Sequence, residues 1–222
     1  MTQDSVTGDW LQWHHHYDVP DSPLANRLAV VRDQLRRALI DAPGDADGVL
    51  RLISVCAGEG RDLLPTLAEQ DGSRRVNALL VELDQALAQR ARATAAELGL
   101  SGVEVRKADA GLVDTYLGLP PAHVMMVCGV FGHTSFGDAR RIIATLPAML
   151  SLGGVVIWTR SRRDSGYDQS LGLRDSFLDH GFTELSFTST ADGVFRIGMH
   201  QLATRSEGTR LPLPRTRIFT FV

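Results

Sequence analysis

Between Leu50 and Leu64 an apolar run carrying the β-branched residues Ile53 and Val55 breaks abruptly into Cys56-Ala57-Gly58-Glu59-Gly60. A run compatible with a helix follows. Strand, tight turn and helix N-terminus together bring a nucleotide close to backbone N–H groups. Gly58 and Gly60 suit such a turn because a Cβ there would hold a ligand off the backbone or forbid the dihedrals required. The same turn also serves as a plain strand-to-helix connection in many α/β domains. It is not the dinucleotide fingerprint, which needs a third glycine where this chain has Leu63.

Length and composition narrow the class around that turn. With 222 residues and 44% apolar content, the chain suits one compact domain with a full core. No apolar run reaches membrane-spanning length and the N-terminus shows no basic-then-apolar leader, so a cytoplasmic protein with no membrane partner is expected. The net charge of −3 gives no electrostatic case for nucleic acid. Cys56 and Cys128 are far apart with no CxxC, which suggests neither a disulfide framework nor a zinc site. Both lie in apolar strand patterns and read as buried structural thiols.

The first twenty residues hold Trp10, Trp13, His14, His15, His16 and Tyr17, an aromatic investment that predicts a segment docked on the body. Adjacent histidines point in different directions, so the run is not read as a metal site. The segment reads as an amphipathic flap or, more sharply, as a lid presenting His14 or Tyr17 to a substrate. Ser22-Pro23 opens a helix with Leu24, Leu28, Val31, Leu35 and Leu39 as its apolar stripe. Arg27, Arg32, Arg36 and Arg37 are assigned to its solvated faces. Residues 1–48 thus form a flap and cap helix ahead of the main unit at 49–222.

Beyond a helix expected at about 61–70, Val76–Glu82 reads as a second buried strand. Glu82 ends it about twenty residues past the glycine turn, where an acid can accept both hydroxyls of a ribose. Asp84 is expected to cap the next helix, which Gly99 closes. Val103–Lys107 is a third strand, followed by Asp109-Ala110. Asp109 alone reads equally as an N-cap for residues 111–117. His123–Cys128 is a strong strand whose exit, Gly129 to Thr134, should border a pocket, since open α/β sheets bind ligands at the carboxyl ends of their strands. His133 is the leading candidate general base, with an ordinary loop histidine as the alternative. A helix at about 137–151 and a strand at 155–159 lead to Arg160, Arg162 and Arg163, either an anion-binding cluster or a solvated loop. A helix at 168–180 precedes a hairpin, Phe182–Thr190 and Val194–Leu202 around Ala191-Asp192-Gly193. Residues 217–221 can add an edge strand able to pair with another chain, so a homo-oligomer is compatible with the sequence.

Strands separated by helices and closed by a hairpin argue for an α/β, mostly parallel sheet with one antiparallel strand. The series resembles the class I S-adenosylmethionine (SAM) methyltransferases over nearly the whole chain from about residue 50. The resemblance rests on the Gly58/Gly60 turn, Glu82, Asp109-Ala110, the Cys128-Gly129 exit and Gly153-Gly154. In that family's acidic-x-Gly-x-Gly-x-Gly pattern Ser54 stands for the acid and Cys56 for the first glycine, two departures that leave the later turn intact. The resemblance implies a Rossmann-like seven-stranded sheet of order 3-2-1-4-5-7-6 with helices on both faces and an N-terminal helical cap. It also implies SAM as methyl donor, held by Ala57, Gly58, Gly60, Glu82, Leu83, Asp109, Ala110 and Cys128, with Asp109 at the adenine edge. A small-molecule acceptor is expected, with His133, His14 or Tyr17 as base where one is needed. Two alternatives remain: a SAM-binding module without catalysis, and an NAD-dependent oxidoreductase.

Overall fold

The structure, a computed structural model, describes residues 15–70, 75–162 and 168–222. Its strands are β1 (Leu50–Val55), β2 (Val76–Glu82), β3 (Val103–Lys107), β4 (Ala122–Val127), β5 (Leu150–Ser161), β6 (Phe182–Ser189) and β7 (Phe195–Leu202). They form one sheet in the order β3-β2-β1-β4-β5-β7-β6. Pairing is parallel from β3 to β5, and β7 runs antiparallel to both β5 and β6. The expected sheet order and mixed pairing are therefore found.

Strand segments covered on both faces are apolar, which is why Ala78–Val81, Val124–Val127 and Val155–Trp158 read as unbroken runs. Alternation then divides each run between two cores. Leu52, Leu80, Val124, Met126 and Ile157 join one core with the cap helix, while Ile53, Val81, Met125, Val127 and Trp158 join the other.

The helices are α1 (Pro23–Asp41), α2 (Leu64–Ala68), α3 (Gln85–Glu97), α4 (Phe136–Met149) and α5 (Gln169–Asp179). Ser22 caps α1 by accepting from Ala25 N at 3.1 Å. The buried face of α1 includes Leu24, Val31, Leu35 and Leu39 as the stripe implies, and it also includes Arg27 and Gln34. Arg27 thus corrects its assignment to a solvated face: it is 6% exposed. Its position three residues after Leu24 and four before Val31 puts it on the inner face, and that spacing outweighs residue type. Arg36 and Arg37 do stay at the surface, paired with Glu69 and Asp33. Helix α2 is shorter than expected, because residues 61–63 remain in the turn and Pro65, lacking an N–H, sits in the first helical turn.

The β5–β7–α5 side holds an aromatic cluster. Trp158 stacks on Phe177 with centroids 5.8 Å apart, and His200 stacks on the same ring at 4.4 Å. Trp158 Nε1 donates to His200 Nδ1 at 3.1 Å. The cluster exists because residue 198 is glycine: a Cβ there would lie 2.3 Å from Trp158 Cε2. Burial lowers the His200 pKa to about 4, with Glu184 opposing the shift, so the ring is neutral at pH 7.

Residues 217–221 are not an edge strand. They make single antiparallel bridges, Arg217 to Leu112 and Phe221 to Thr134, and run across the carboxyl ends of β3 and β4. Gly111 O accepts from Ile218 N at 2.7 Å, Val113 N donates to Thr216 O at 3.0 Å, and Val222 N donates to His133 O at 2.8 Å. These bonds use the segment's backbone within its own chain, so the expected free edge for an oligomer does not form there.

Candidate cofactor and acceptor site

A cavity of about 780 Å³ opens at the carboxyl ends of β1, β2 and β4, within the usual range for small-molecule sites. Its floor is the β1–α2 turn. Cys56, Gly58 and Gly60 have φ of +52°, +57° and +70°. The left-handed conformation costs a non-glycine residue about 1–2 kcal/mol, so Cys56 holds strain that the neighbouring glycines avoid. Gly60 is fixed by space as well, since a Cβ there would lie 2.9 Å from the side chains of Leu64 and Leu80.

Glu82 stands where β2 ends. It accepts from Gly58 N at 2.7 Å and from Asp84 N at 2.8 Å, so one carboxylate ties the turn to the start of α3. Burial raises its pKa, and those backbone donors pull it back. Asp84 is occupied otherwise: its Oδ1 accepts from Ala86 N and Leu87 N, capping α3. Asp109 lies across the cavity, accepting from Gly111 N at 2.8 Å and pairing with Arg217 at 3.0 Å. The expected helix after it is a short 3-10 turn, Val113–Tyr116, whose N-cap position is Leu112, not Asp109.

The opposite end is built by the cap. The buried guanidinium of Arg27 donates to the Tyr17 hydroxyl and lies over the rings of Tyr17 and Phe195, 5.4 and 5.1 Å from their centroids. Burial lowers the Arg27 pKa against the charge of Asp62, and burial raises the pKa of Asp62 against Arg27. Tyr17 belongs to the 3-10 turn His15–Asp18, pinned from outside by Arg61, which pairs with Asp18 and Glu59. Desolvated groups of both signs therefore share one cavity.

All eight residues expected to hold the cofactor lie at these strand ends, and Ala57, Gly58, Glu82, Leu83, Asp109, Ala110 and Cys128 line the cavity itself. Gly60 supports the turn from below. Tyr17 lines it too. His133 does not: its ring packs edge-on against Phe221 at 6.1 Å, held there by His133 N donating to Val130 O and by Val222 N donating to its carbonyl. Among the described residues no histidine lines the cavity. His14 and the side chains of His15 and His16 lie outside what the structure describes. Arg160 is neither a solvated residue nor an anion ligand: it is buried, donating to Phe131 O and Gln169. Arg162 is exposed, and Arg163 lies outside the described residues. The residues that sequence reasoning missed are Arg27 and Asp62 at one end and Arg217, Phe219 and Phe221 at the other. Only Arg27 carried a usable signal, its register with Leu24 and Val31.

The fold is that of the class I SAM-dependent methyltransferases. Among solved structures, magnesium protoporphyrin IX methyltransferase (ChlM) from Synechocystis PCC 6803, determined with bound SAM and with bound SAH, superposes with TM-score 0.65 at 15% identity with the SAM complex, over 90% of this chain and 92% of that one. An O-methyltransferase family protein from Burkholderia thailandensis gives 0.63 at 16% identity, over 82% and 56%. An rRNA methylase from Streptococcus thermophilus gives 0.57 at 11%, over 77% and 95%. No protein-family model matches the sequence, and neither does any curated protein. Among the described residues no helix is long and apolar enough to cross a membrane.

Proposed function

We propose that this chain is a SAM-dependent methyltransferase acting on a small-molecule acceptor at an oxygen or nitrogen, in the cytoplasm. One observation carries the reading: the positive-φ turn, Glu82 and Asp109 converge on a single cavity that the cap closes with Tyr17 and Arg27. The residues fit the cofactor. Glu82 would accept the ribose hydroxyls, which supply further donors to a carboxylate that burial leaves short of them. Leu83 and Ala110 offer apolar cover for the base, and Asp109 an acceptor for its amine. Arg27 and Asp62 provide opposite charges for the amino-acid end, where Ser54 replaces the family's usual acid. SAM supplies an activated methyl group, so the chain's task is to align an acceptor and exclude water. Tyr17, whose hydroxyl accepts from Arg27, is the residue placed to orient an acceptor hydroxyl or amine.

The size of the cavity and the net charge of −3 support a small molecule over nucleic acid. A second reading, a SAM-binding module without turnover, draws on the Ser54 and Cys56 departures and on His133 standing outside the cavity.

Thermal unfolding with SAM, S-adenosylhomocysteine (SAH) and NADH tests the proposal. At a hundred times its dissociation constant a ligand stabilises by about 2.7 kcal/mol, roughly 5 °C or more here. The two sulfur nucleosides should raise the midpoint and NADH should not, and Glu82→Ala should abolish the shift. A shift with NADH alone sinks the reading. Binding without methyl transfer to any of a broad panel of hydroxyl and amine acceptors selects the module.

A further inference from the structure

The segment from Arg215 to Val222 crosses the sheet's carboxyl edge as a strap, and nothing in the five matching motifs accounts for it. It is anchored at both ends. On the β3 side Arg215 N donates to Asp114 Oδ2 at 2.6 Å, Ile218 N to Gly111 O at 2.7 Å, and Arg217 pairs with Asp109. On the β4 side Val222 N donates to His133 O, and Arg141 Nη1 reaches Ile218 O at 3.2 Å. Between the anchors Arg217, Phe219, Thr220 and Phe221 line the cavity. Residue 111 is shaped for this crossing: a Cβ there would lie 2.5 Å from Phe219 O and 3.2 Å from Arg217 Nη1.

We infer that the strap is the base-reading wall of the nucleoside pocket, with Arg217 positioning Asp109 and Phe219 and Phe221 covering the base. The inference rests on the methyltransferase reading above. Asp109 is gripped by two donors from different segments, Gly111 N on one oxygen and Arg217 Nη2 on the other. Those two bonds fix the plane of the carboxylate and leave each oxygen a second acceptor site. A fixed acceptor accepts from the 6-amino group of adenine and repels the 6-oxo group of hypoxanthine, so orientation becomes selectivity. The two phenylalanine rings, with centroids 5.7 Å apart, add apolar area without choosing between the bases.

Calorimetric titration of the whole chain with SAH and with its 6-oxo analogue S-inosylhomocysteine separates these roles. The wild type should prefer SAH by about a hundredfold or more. Arg217→Gln should weaken SAH about tenfold, the worth of one charge-assisted hydrogen bond, while the analogue changes little, so the preference falls about tenfold. Phe221→Ser should weaken both ligands alike and keep the ratio. Gly111→Ala, whose Cβ would lie 2.5 Å from Phe219 O, displaces Arg217 and the two rings together and should combine the two effects, weakening both ligands and lowering the ratio, with an unchanged circular dichroism spectrum. An equal loss for both ligands in Arg217→Gln, or no loss, overturns the positioning role while leaving the methyltransferase reading intact. Failure of the wild type to bind SAH at all overturns both.

Discussion

The two flanks of the sheet solve the same problem of buried polarity in opposite ways. On the β5–β7 flank the polar groups face one another: Trp158 donates to His200 Nδ1, His200 Nε2 lies 3.6 Å from Glu184 without a hydrogen bond, and Glu184 is clamped by a half-buried Arg174. On the β1–β4 flank Glu82, Asp62 and Arg27 are as deeply desolvated, yet they border a cavity. A folded chain carries desolvated charge only at a cost. Where that cost is met by internal partners the region is scaffold, and where it is arrayed around an opening the region is poised for a ligand. The contrast teaches that the site is marked by where its polar groups face more than by how many there are.

The strongest way to break the contrast is to injure the scaffold flank alone. Gly198→Val drives a side chain into the Trp158 ring and should cost more than about 4 kcal/mol, leaving no cooperative thermal transition. A normally folded Gly198→Val protein would mean that the aromatic cluster is not the scaffold described. A smaller effect comes from pH. The folded pKa of His200, about 4, lies below the unfolded value of about 6.5, so the unfolded state binds more protons between them. The stability from the neutral ring is complete above the unfolded pKa and is lost as pH falls from about 6.5 towards 4, a total of about 3 kcal/mol. Urea midpoints across that range should fall for the wild type and much less for His200→Gln. Equal slopes would remove His200 from the account. The smallest effect belongs to the cavity flank: Tyr17→Phe should cost only about 1 kcal/mol, since Arg27 keeps the ring face and loses one hydrogen bond. A midpoint drop as large as that of a core deletion would place Tyr17 in the scaffold.

Much of this architecture could be read from the chain because parallel strands announce themselves. Val76–Glu82 is legible to the residue, since a strand buried within the sheet is a mostly apolar run bounded by turn residues, and the partly exposed edge strand Val103–Lys107 is legible to the residue as well. Asp84 was legible as a cap because only a short polar side chain serves there. Strand β5 was legible only in part: Leu150 to Gly154 extend it at its start, where polar and glycine residues hide the pairing. Arg27 was misread because charge was weighed above register. The strap reads as a strand because Ile218, Phe219, Thr220 and Phe221 are β-branched or aromatic, and that composition does not say what pairs with them. His133 fell short for a related reason. Strand order places a residue at the rim, but the direction of its side chain depends on a contact, here with Phe221, that no local pattern encodes.

The two sulfur atoms beside the cavity have a consequence for redox behaviour. Burial pushes the thiols of Cys56 and Cys128 well above the usual range, and the acids nearby push the same way, Glu82 for Cys56 and Asp62 for Cys128. Oxidants and electrophiles react with the thiolate, a form these surroundings suppress at neutral pH. The site therefore pairs an opening wide enough for a small molecule with two partly exposed cysteines held in the protonated form, which slows their reaction with peroxide.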